Sequence, residues 1–221
     1  MHVEMRTKAA LLVLFVLVPL SCRSSPHSSN SAADAGSDAR VEAGADAGGE
    51  AGTKACADAG GDALLAPSGD AAQSGPVDGI TCDTSEQLLF HIHAHVAVYV
   101  GGCQKLIAAG VGIGPPLTFD NGSVVGGSCF SWLHTHDETG VIHIESPVQR
   151  TFTLGDFFDV WGQPLSATQV GPAKGKVTAT LDGQPFTSDP RTIPLEAHAV
   201  VQLDVGAPLV APQPFTFPQG L

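Results

Sequence analysis

The segment Phe90–Val100, "FHIHAHVAVYV", alternates apolar residues with three histidines, His91, His93 and His95. A period of two predicts a β-strand with one buried face and one face that carries the imidazoles. Four other runs have strand character and are separated by turn residues: "SCFSWLHTH", "GVIHIES", "KGKVTATL" and "AHAVVQLDV". The sequence therefore predicts a mainly β domain, an antiparallel sandwich or partial barrel with one short helix.

Turn and cap residues predict two hairpins and the helix. Two pairs of residues suited to positive φ angles predict tight hairpin turns, Gly101-Gly102 and Asp182-Gly183. In "TLGDFFDVWG", Thr153 is a suitable N-cap with Asp156 three residues later, and Gly162 is a suitable stop. We expect this helix to cover an edge or face of the sheet and to anchor the core through Phe157, Phe158 and Trp161.

Residues 1–21 have the layout of an export signal. Two basic residues precede the apolar run Ala9–Leu20, which is too short to span a bilayer comfortably. Cys22 follows in "VPLSC", which resembles a bacterial lipobox with Pro19 in place of the usual Leu. We therefore expect export and a lipid on Cys22, which would anchor the protein at the outer membrane or the periplasmic face of a membrane. A plain secretory signal that is cleaved nearby is the alternative.

The segment 22–78 is rich in Ala, Gly, Asp and Ser and has few residues that could form a core. This composition predicts a disordered acidic tether that connects the anchor to a folded domain at 79–221. The chain has a formal net charge of -12, but much of the acidity lies in the tether and indicates little about a partner. Because no basic patch is present, we exclude nucleic-acid binding.

Four cysteines remain if Cys22 carries the lipid, and an even number in an oxidising compartment favours disulfides. Cys82 precedes the first histidine strand, and Cys129 precedes a second histidine cluster. We expect these two to pair, because the bond would join the entries of both segments. Cys103 is an equally possible partner and Cys56 lies in the tether, so sequence alone leaves three pairings open.

The second cluster, "WLHTHDETGVIHIES", contains its own turn. A hairpin closed through "DETG" places His136 opposite Val141 and His134 opposite His143, whether the loop has two or four residues. All three histidines then share one face with Glu145, and opposed Cβ atoms lie roughly 5 Å apart. The other face is predicted to join the core through Leu133, Ile142 and Ile144.

A bound metal ion would explain why two strand segments each give one face to imidazoles. Residues i and i+2 on one strand face are about 7 Å apart, so two neighbouring imidazoles can converge on one ion. Of the first three histidines we expect an adjacent pair to bind, with the third serving a second ion or a hydrogen bond. His198 is a single strand histidine and a possible extra ligand. The predicted metal ligands are His91, His93, His95, His134, His136, His143 and Glu145.

The ligand types restrict the choice of metal. Both methionines, Met1 and Met5, belong to the signal, so the mature chain has no thioether for Cu(I) or for a blue-copper centre. The cysteines are expected in disulfides rather than as thiolate ligands. A site of imidazoles supported by a carboxylate suits Cu(II) or Zn(II), and two histidines with one carboxylate would also suit Fe(II).

The run from Cys82 to Trp161, with "HIHAH" and "WLHTHDETGVIHIES", resembles an uncharacterised family of exported bacterial proteins, and this resemblance implies no activity. Two fragments are similar to characterised families. "FHIH" is similar to a strand of copper-zinc superoxide dismutases, whose metal-bridging histidine and zinc loop have no counterpart here. "HTHDE" resembles the HxHxDH motif of metallo-β-lactamase hydrolases but lacks its last histidine.

Two functions of different classes fit this pattern. The first is a tethered protein that captures a divalent metal through the histidine face. The second is a metalloenzyme of hydrolase, oxygenase or dismutase type, in which Glu145 or Asp137 acts as general base on a metal-bound water. An open site in a pocket under the predicted helix would favour the enzyme, and a closed four-ligand site would favour the binding protein. A domain whose ion only stabilises the fold is a third possibility.

Overall fold

The computed structural model describes Cys56, residues 63–69 and residues 75–221. The predicted signal 1–21 and the lipid acceptor Cys22 lie outside these residues. Within the described part of the chain, no helix has both the length and the apolar character needed to cross a membrane.

The described residues form short strands around one long strand, with a single α-helix. The strands are β1 (Cys82–Asp83), β2 (Phe90–Val100), β3 (Cys103–Lys105), β4 (Thr118–Asp120), β5 (Ser123–Gly126), β6 (Phe130–Ser131), β7 (Leu133–His134), β8 (Val141–Ser146), β9 (Leu165–Ser166), β10 (Gln169–Val170), β11 (Ala173–Lys174), β12 (Val177–Leu181), β13 (Gln184–Phe186) and β14 (Val200–Val205). The helices are α1 (Leu154–Trp161) and a 3-10 turn (Pro190–Thr192).

The main sheet has seven strands in the order β13-β12-β14-β2-β8-β7, and β3 also pairs with β2. Three smaller sheets join β1 to β6, β4 to β5, and β9 to β11 through β10. The predicted mainly β class with one short helix is confirmed, and the described residues do not close into a barrel.

One strand pair departs from the expected antiparallel order. β14 runs parallel to β2, with Val200 opposite His95 and Val205 opposite Val100. A parallel pair needs a long crossover connection. Here the crossover contains β8, α1 and the β12–β13 hairpin, and turn signals that act over a few residues do not predict such a distant pairing.

The local turn and cap predictions are confirmed. Gly101 and Gly102 have φ angles of 58° and 81° and connect β2 to β3. Asp182 and Gly183, at 51° and 75°, connect β12 to β13. In α1, Thr153 and Asp156 form a reciprocal capping box, and Gly162 ends the helix in the left-handed conformation.

The core lies on the side of the sheet that faces away from the histidines. Leu133, Ile142 and Ile144 are fully buried, as the sequence predicts, in one cluster with the three helix aromatics, Phe157, Phe158 and Trp161. The intervening β2 residues Ala94 and Val96 join the same cluster. Helix α1 therefore packs on the apolar face and does not cover the imidazoles.

Part of the segment 22–78, which the sequence predicts to be a tether, packs against this core. Leu65 and Ala66 are buried, and the carbonyl of Pro67 accepts a hydrogen bond from the indole of Trp161. Cys56 forms a disulfide with Cys103. A few apolar residues at 64–66 and one cysteine are enough for this docking, although the composition averaged over 22–78 is too polar to form a core.

Candidate metal centre

Strand β8 lies between β2 and β7 and brings the two histidine clusters together. His143 on β8 is opposite His93 on β2 and opposite His134 on β7. Glu145 on β8 is opposite His91. The predicted pairing of His134 with His143 is confirmed. Because opposed residues of neighbouring strands share one face, five residues from three strands converge on the polar side of the sheet.

The disulfide between Cys82 and Cys129, which the sequence favours, joins the segments that enter these strands. It also ties β1 to β6, since Cys82 is paired with Ser131 in the small two-stranded sheet. With the second disulfide, the four cysteines after Cys22 are paired. Two disulfides in one small domain indicate a protein that folds in an oxidising compartment.

His134 and His136 are held so that their free nitrogens face each other. The Nδ1 of His134 donates to the carbonyl of Ser131 at 2.8 Å, and the Nδ1 of His136 donates to the carbonyl of Val124. These bonds fix the proton on Nδ1, so Nε2 is unprotonated and has a free lone pair. The two Nε2 atoms lie 3.1 Å apart. Ligands about 2.0–2.1 Å from one ion are about 2.8–3.4 Å apart at bond angles of ~90–110°, so this separation suits a shared ion.

A second pair has the same spacing on β2. The Nε2 atoms of His91 and His93 are 3.1 Å apart, and the Nε2 of His93 is also 3.1 Å from the Nδ1 of His143. The ligand atoms of these three histidines lie within 4.8 Å of one another. The same holds for His134, His136 and His143. His143 is thus common to two groups that could each hold an ion.

Glu145 lies among these imidazoles. Its Oε1 is 3.2 Å from the Nε2 of His91 and 3.5 Å from the Nδ1 of His143, and its Oε2 is 4.0 Å from the Nε2 of His134. The side chain is 4% exposed. Its Oε2 is buried and has no hydrogen-bond partner.

Burial keeps the deepest histidines neutral. Desolvation lowers the pKa of His134 to about 3, although the nearby carboxylate of Glu145 acts in the opposite direction. Desolvation, followed by the charge of His143, lowers the pKa of His93 to about 4. Burial raises the pKa of Glu145, but the hydrogen bond from His143 and the charges of the surrounding histidines outweigh it, so the pKa lies below its ordinary value. Neutral imidazoles beside an ionised carboxylate are the protonation states that metal ligands require.

The outer side of the centre is open to solvent. The side chain of His91 is 39% exposed and that of His136 is 22% exposed, whereas His134 is fully buried. The site thus has a buried floor and an accessible rim. An ion could reach it without local unfolding of the sheet.

Glu86 is a candidate ligand that the sequence analysis missed. Its Oε1 lies 3.5 Å from the Nε2 of His136, and it forms a further group of convergent ligand atoms with His134 and Glu145. Glu86 lies outside any strand, so no alternating pattern marks it. Its position four residues after Cys82 could have indicated that it lies near the second histidine cluster, because the Cys82–Cys129 disulfide brings this loop to that cluster.

Two predicted site residues lie outside these groups. The Nε2 of His95 is 3.0 Å from the carbonyl of Thr139, and its ring stacks on Phe215. This matches the expectation that one of the three β2 histidines makes a hydrogen bond. Asp137 accepts hydrogen bonds from the amide and hydroxyl of Thr139 within the turn. Neither residue belongs to a convergent group among the described residues.

His198 lies beside β2 and makes structural contacts. It adopts a positive φ of 62°, its amide donates to the carbonyl of His93, and its Nε2 is 3.0 Å from the carbonyl oxygen of Leu221. Its ring stacks on Phe217. These contacts hold the C-terminal segment against the sheet, and His198 belongs to no convergent group of ligand atoms among the described residues.

Comparisons of the chain with protein-family models, with curated proteins and with solved structures give no match. The assignment of function therefore depends on the geometry of the centre.

Proposed function

We propose that this protein is an extracytoplasmic, lipid-anchored protein that binds a divalent metal, Cu(II) or Zn(II), on the histidine face of its main sheet. His134, His136 and His143 supply the ligands of this ion. The lipid on Cys22 holds the domain at the outer membrane or the periplasmic face of a membrane. The two disulfides support an oxidising location, and the signal layout of residues 1–21 supports the anchor.

The observation that carries the metal proposal is the opposed pair of Nε2 atoms on His134 and His136. Both rings use Nδ1 to donate to a backbone carbonyl, so neither Nε2 carries a proton in the neutral ring. Two lone pairs 3.1 Å apart repel each other unless a cation lies between them. A proton could serve, but burial opposes a charge on His134 and lowers its pKa to about 3. A divalent ion satisfies both nitrogens while the rings stay neutral.

The donor set supports Cu(II) or Zn(II). The centre offers imidazole nitrogens with the carboxylates of Glu145 and Glu86, and these ligand types suit both ions. Cys56, Cys82, Cys103 and Cys129 are in disulfides, so none of them is a thiolate ligand. Fe(II) would need two histidines and one carboxylate on one face, which the group around Glu145 could also supply.

The positions of the two candidate general bases favour capture of the ion over catalysis. Glu145 is 4% exposed and its oxygens face imidazoles, which suits a ligand better than a base that must reach a substrate. Asp137 is bonded within its own turn. The partly exposed rim at His91 and His136 supports uptake and release of the ion. The metalloenzyme remains the second candidate, and an activity assay on the metal-loaded protein would detect it.

Titration calorimetry with Cu(II) and with Zn(II) tests the proposal. The parent protein should bind Cu(II) and also Zn(II), and His136→Ala should lose most of the affinity at the site of His134, His136 and His143, because the remaining ligands cannot complete the shell of that ion. His198→Asn is the matched control, since it alters a histidine outside the centre and Asn tolerates the positive φ. Equal binding by the parent and His136→Ala would contradict the proposal, as would no binding by the parent.

A further inference from the structure

The centre contains two His-x-His pairs with the same internal spacing. His91 and His93 present Nε2 atoms 3.1 Å apart on β2, and His134 and His136 present Nε2 atoms 3.1 Å apart beside β8. Each separation suits two ligands of one ion. The pairs belong to different groups of convergent ligand atoms, and no group among the described residues contains members of both pairs. One ion therefore accounts for only one of the two His-x-His pairs.

Glu145 connects the two pairs. Its Oε1 lies 3.2 Å from the Nε2 of His91, and its Oε2 lies 4.0 Å from the Nε2 of His134. The carboxylate is buried and its Oε2 has no hydrogen-bond partner. An unsatisfied buried carboxylate oxygen is costly, and the Nε2 of His134, 4.0 Å from this oxygen, carries no proton to donate. A cation between Oε2 and His134 would satisfy both atoms.

We propose that the centre is dinuclear, with one divalent ion at His91 and His93, a second at His134 and His136, and Glu145 as the carboxylate bridge between them. This inference rests on the proposed metal-binding function. Oε1 of Glu145 serves the first pair and Oε2 serves the second. His143 lies within reach of both groups and completes the shell at the second pair.

The charges around the centre support two ions. Neutral imidazoles do not offset the positive charge of the ions they bind. Two divalent ions would therefore repel each other across the site. The negatively charged carboxylate of Glu145, which lies between the two pairs, reduces this repulsion. Glu86, 3.5 Å from the Nε2 of His136, supplies a second carboxylate at the outer side. Protein sites that hold two metals use separations of about 3.5–4 Å between the ions.

Metal content measured after equilibrium dialysis of the full chain against Zn(II) tests the proposal. The parent and the control His198→Asn should each retain two zinc ions per chain. His91→Ala and His136→Ala should each retain one ion, because each variant removes a ligand from a different pair. Glu145→Gln preserves the size of the side chain but removes its charge, and it should lose at least one ion at the same free zinc concentration.

The outcomes separate this inference from the proposed function. One ion per chain in the parent would overturn the dinuclear centre and leave the metal-binding function in place, whereas no bound ion would overturn both. Two ions of unchanged affinity in Glu145→Gln would overturn the bridge. If Glu145→Gln does not fold, electron paramagnetic resonance of the copper-loaded parent tests whether the two ions are bridged. Bridged Cu(II) ions should give a signal well below the copper content, and a full signal from two isolated ions would contradict the proposal.

Discussion

The two ends of the histidine face of β2 have different chemistry. At the first end, His91 and His93 lie opposite Glu145 and His143 of β8, and their free nitrogens face further imidazoles. At the other end, His95 lies opposite Val141, with its Nε2 at the carbonyl of Thr139 and its ring stacked on Phe215.

The difference shows what an alternating pattern determines and what it leaves open. The period of two places all three imidazoles on one face, because successive side chains of a strand point to opposite sides. The residues of the neighbouring strands then decide the role of each imidazole. β8 supplies a carboxylate and a histidine at one end and an apolar residue at the other, so the same motif gives two candidate metal ligands and one packing residue.

The largest expected effect is a loss of metal affinity when a candidate ligand beside His91 and His93 is removed, compared with a substitution at His95. His143→Ala should weaken Zn(II) binding by more than about 100-fold, since loss of only a hydrogen-bond partner of a metal ligand already costs about 10–100-fold. His95→Phe keeps the stacking on Phe215 and should bind Zn(II) like the parent. Competition with a chromophoric chelator measures both affinities. Similar losses in the two variants would remove the distinction between the ends.

The second prediction concerns stabilisation by metal. A ligand at 100 times its dissociation constant stabilises the folded state by about 2.7 kcal/mol, which for a domain of this size raises Tm by roughly 5–10 °C. The parent and His95→Phe should show this rise with Zn(II), and a chelator should reverse it. His143→Ala should show a smaller rise, because it loses a ligand that lies within reach of both groups. Differential scanning calorimetry provides the measurement, and an equal rise in all three proteins would contradict the assignment.

Histidines at both ends should contribute to the pH dependence of the free energy of unfolding of the metal-free protein. Burial lowers the pKa of His134 to about 3 and the pKa values of His93 and His95 to about 4. Above the unfolded value of about 6.5 these groups are neutral in both states. As the pH falls below 6.5, the unfolded chain binds protons first, so the free energy of unfolding decreases down to the folded pKa values.

Urea unfolding of the metal-free parent at pH 7 and pH 5 measures this decrease. His95→Phe removes one of the three groups, so its loss of stability between these pH values should be smaller than that of the parent. His198→Asn serves as the control and should follow the parent. An identical pH dependence in the parent and His95→Phe would show that His95 is not held neutral by its surroundings.

The smallest effect is expected from Phe215, which stacks on His95 at the packing end and also contacts Phe217. Its ring lies 3.7 Å from that of His95 with an angle of 10° between the planes. Such aromatic pairs contribute about 0.5–1.5 kcal/mol beyond burial, so Phe215→Ala should lower Tm by a few degrees. Zn(II) affinity should stay at the parent value. A loss of affinity in Phe215→Ala would show that the two ends are coupled.

Short-range patterns predicted much of the fold. Alternation identified the buried face of β7 and β8, and the residues between His136 and Val141 fixed the pairing of His134 with His143. The capping box at Thr153 and Asp156 predicted the start of α1. These signals act over a few residues, where turn geometry and side-chain periodicity leave few alternatives.

Long-range pairings could not be predicted from the sequence. The parallel pairing of β14 with β2 depends on a crossover of about one hundred residues, and no local signal specifies it. The docking of Leu65 depends on a few apolar residues inside a polar segment. Glu86 reaches the centre only because the fold brings its loop beside His136. The histidine face was therefore predictable, but the partners of each imidazole required the structure.

The most direct test of the central claim is a crystal structure of the metal-loaded protein with anomalous scattering data collected at the zinc or copper edge. We expect an anomalous peak about 2.0–2.1 Å from the Nε2 atoms of both His134 and His136, with Nδ1 of each ring still bonded to its backbone carbonyl. A loaded crystal with no peak at this pair, or with the ion bound at His95 or His198 instead, would contradict it.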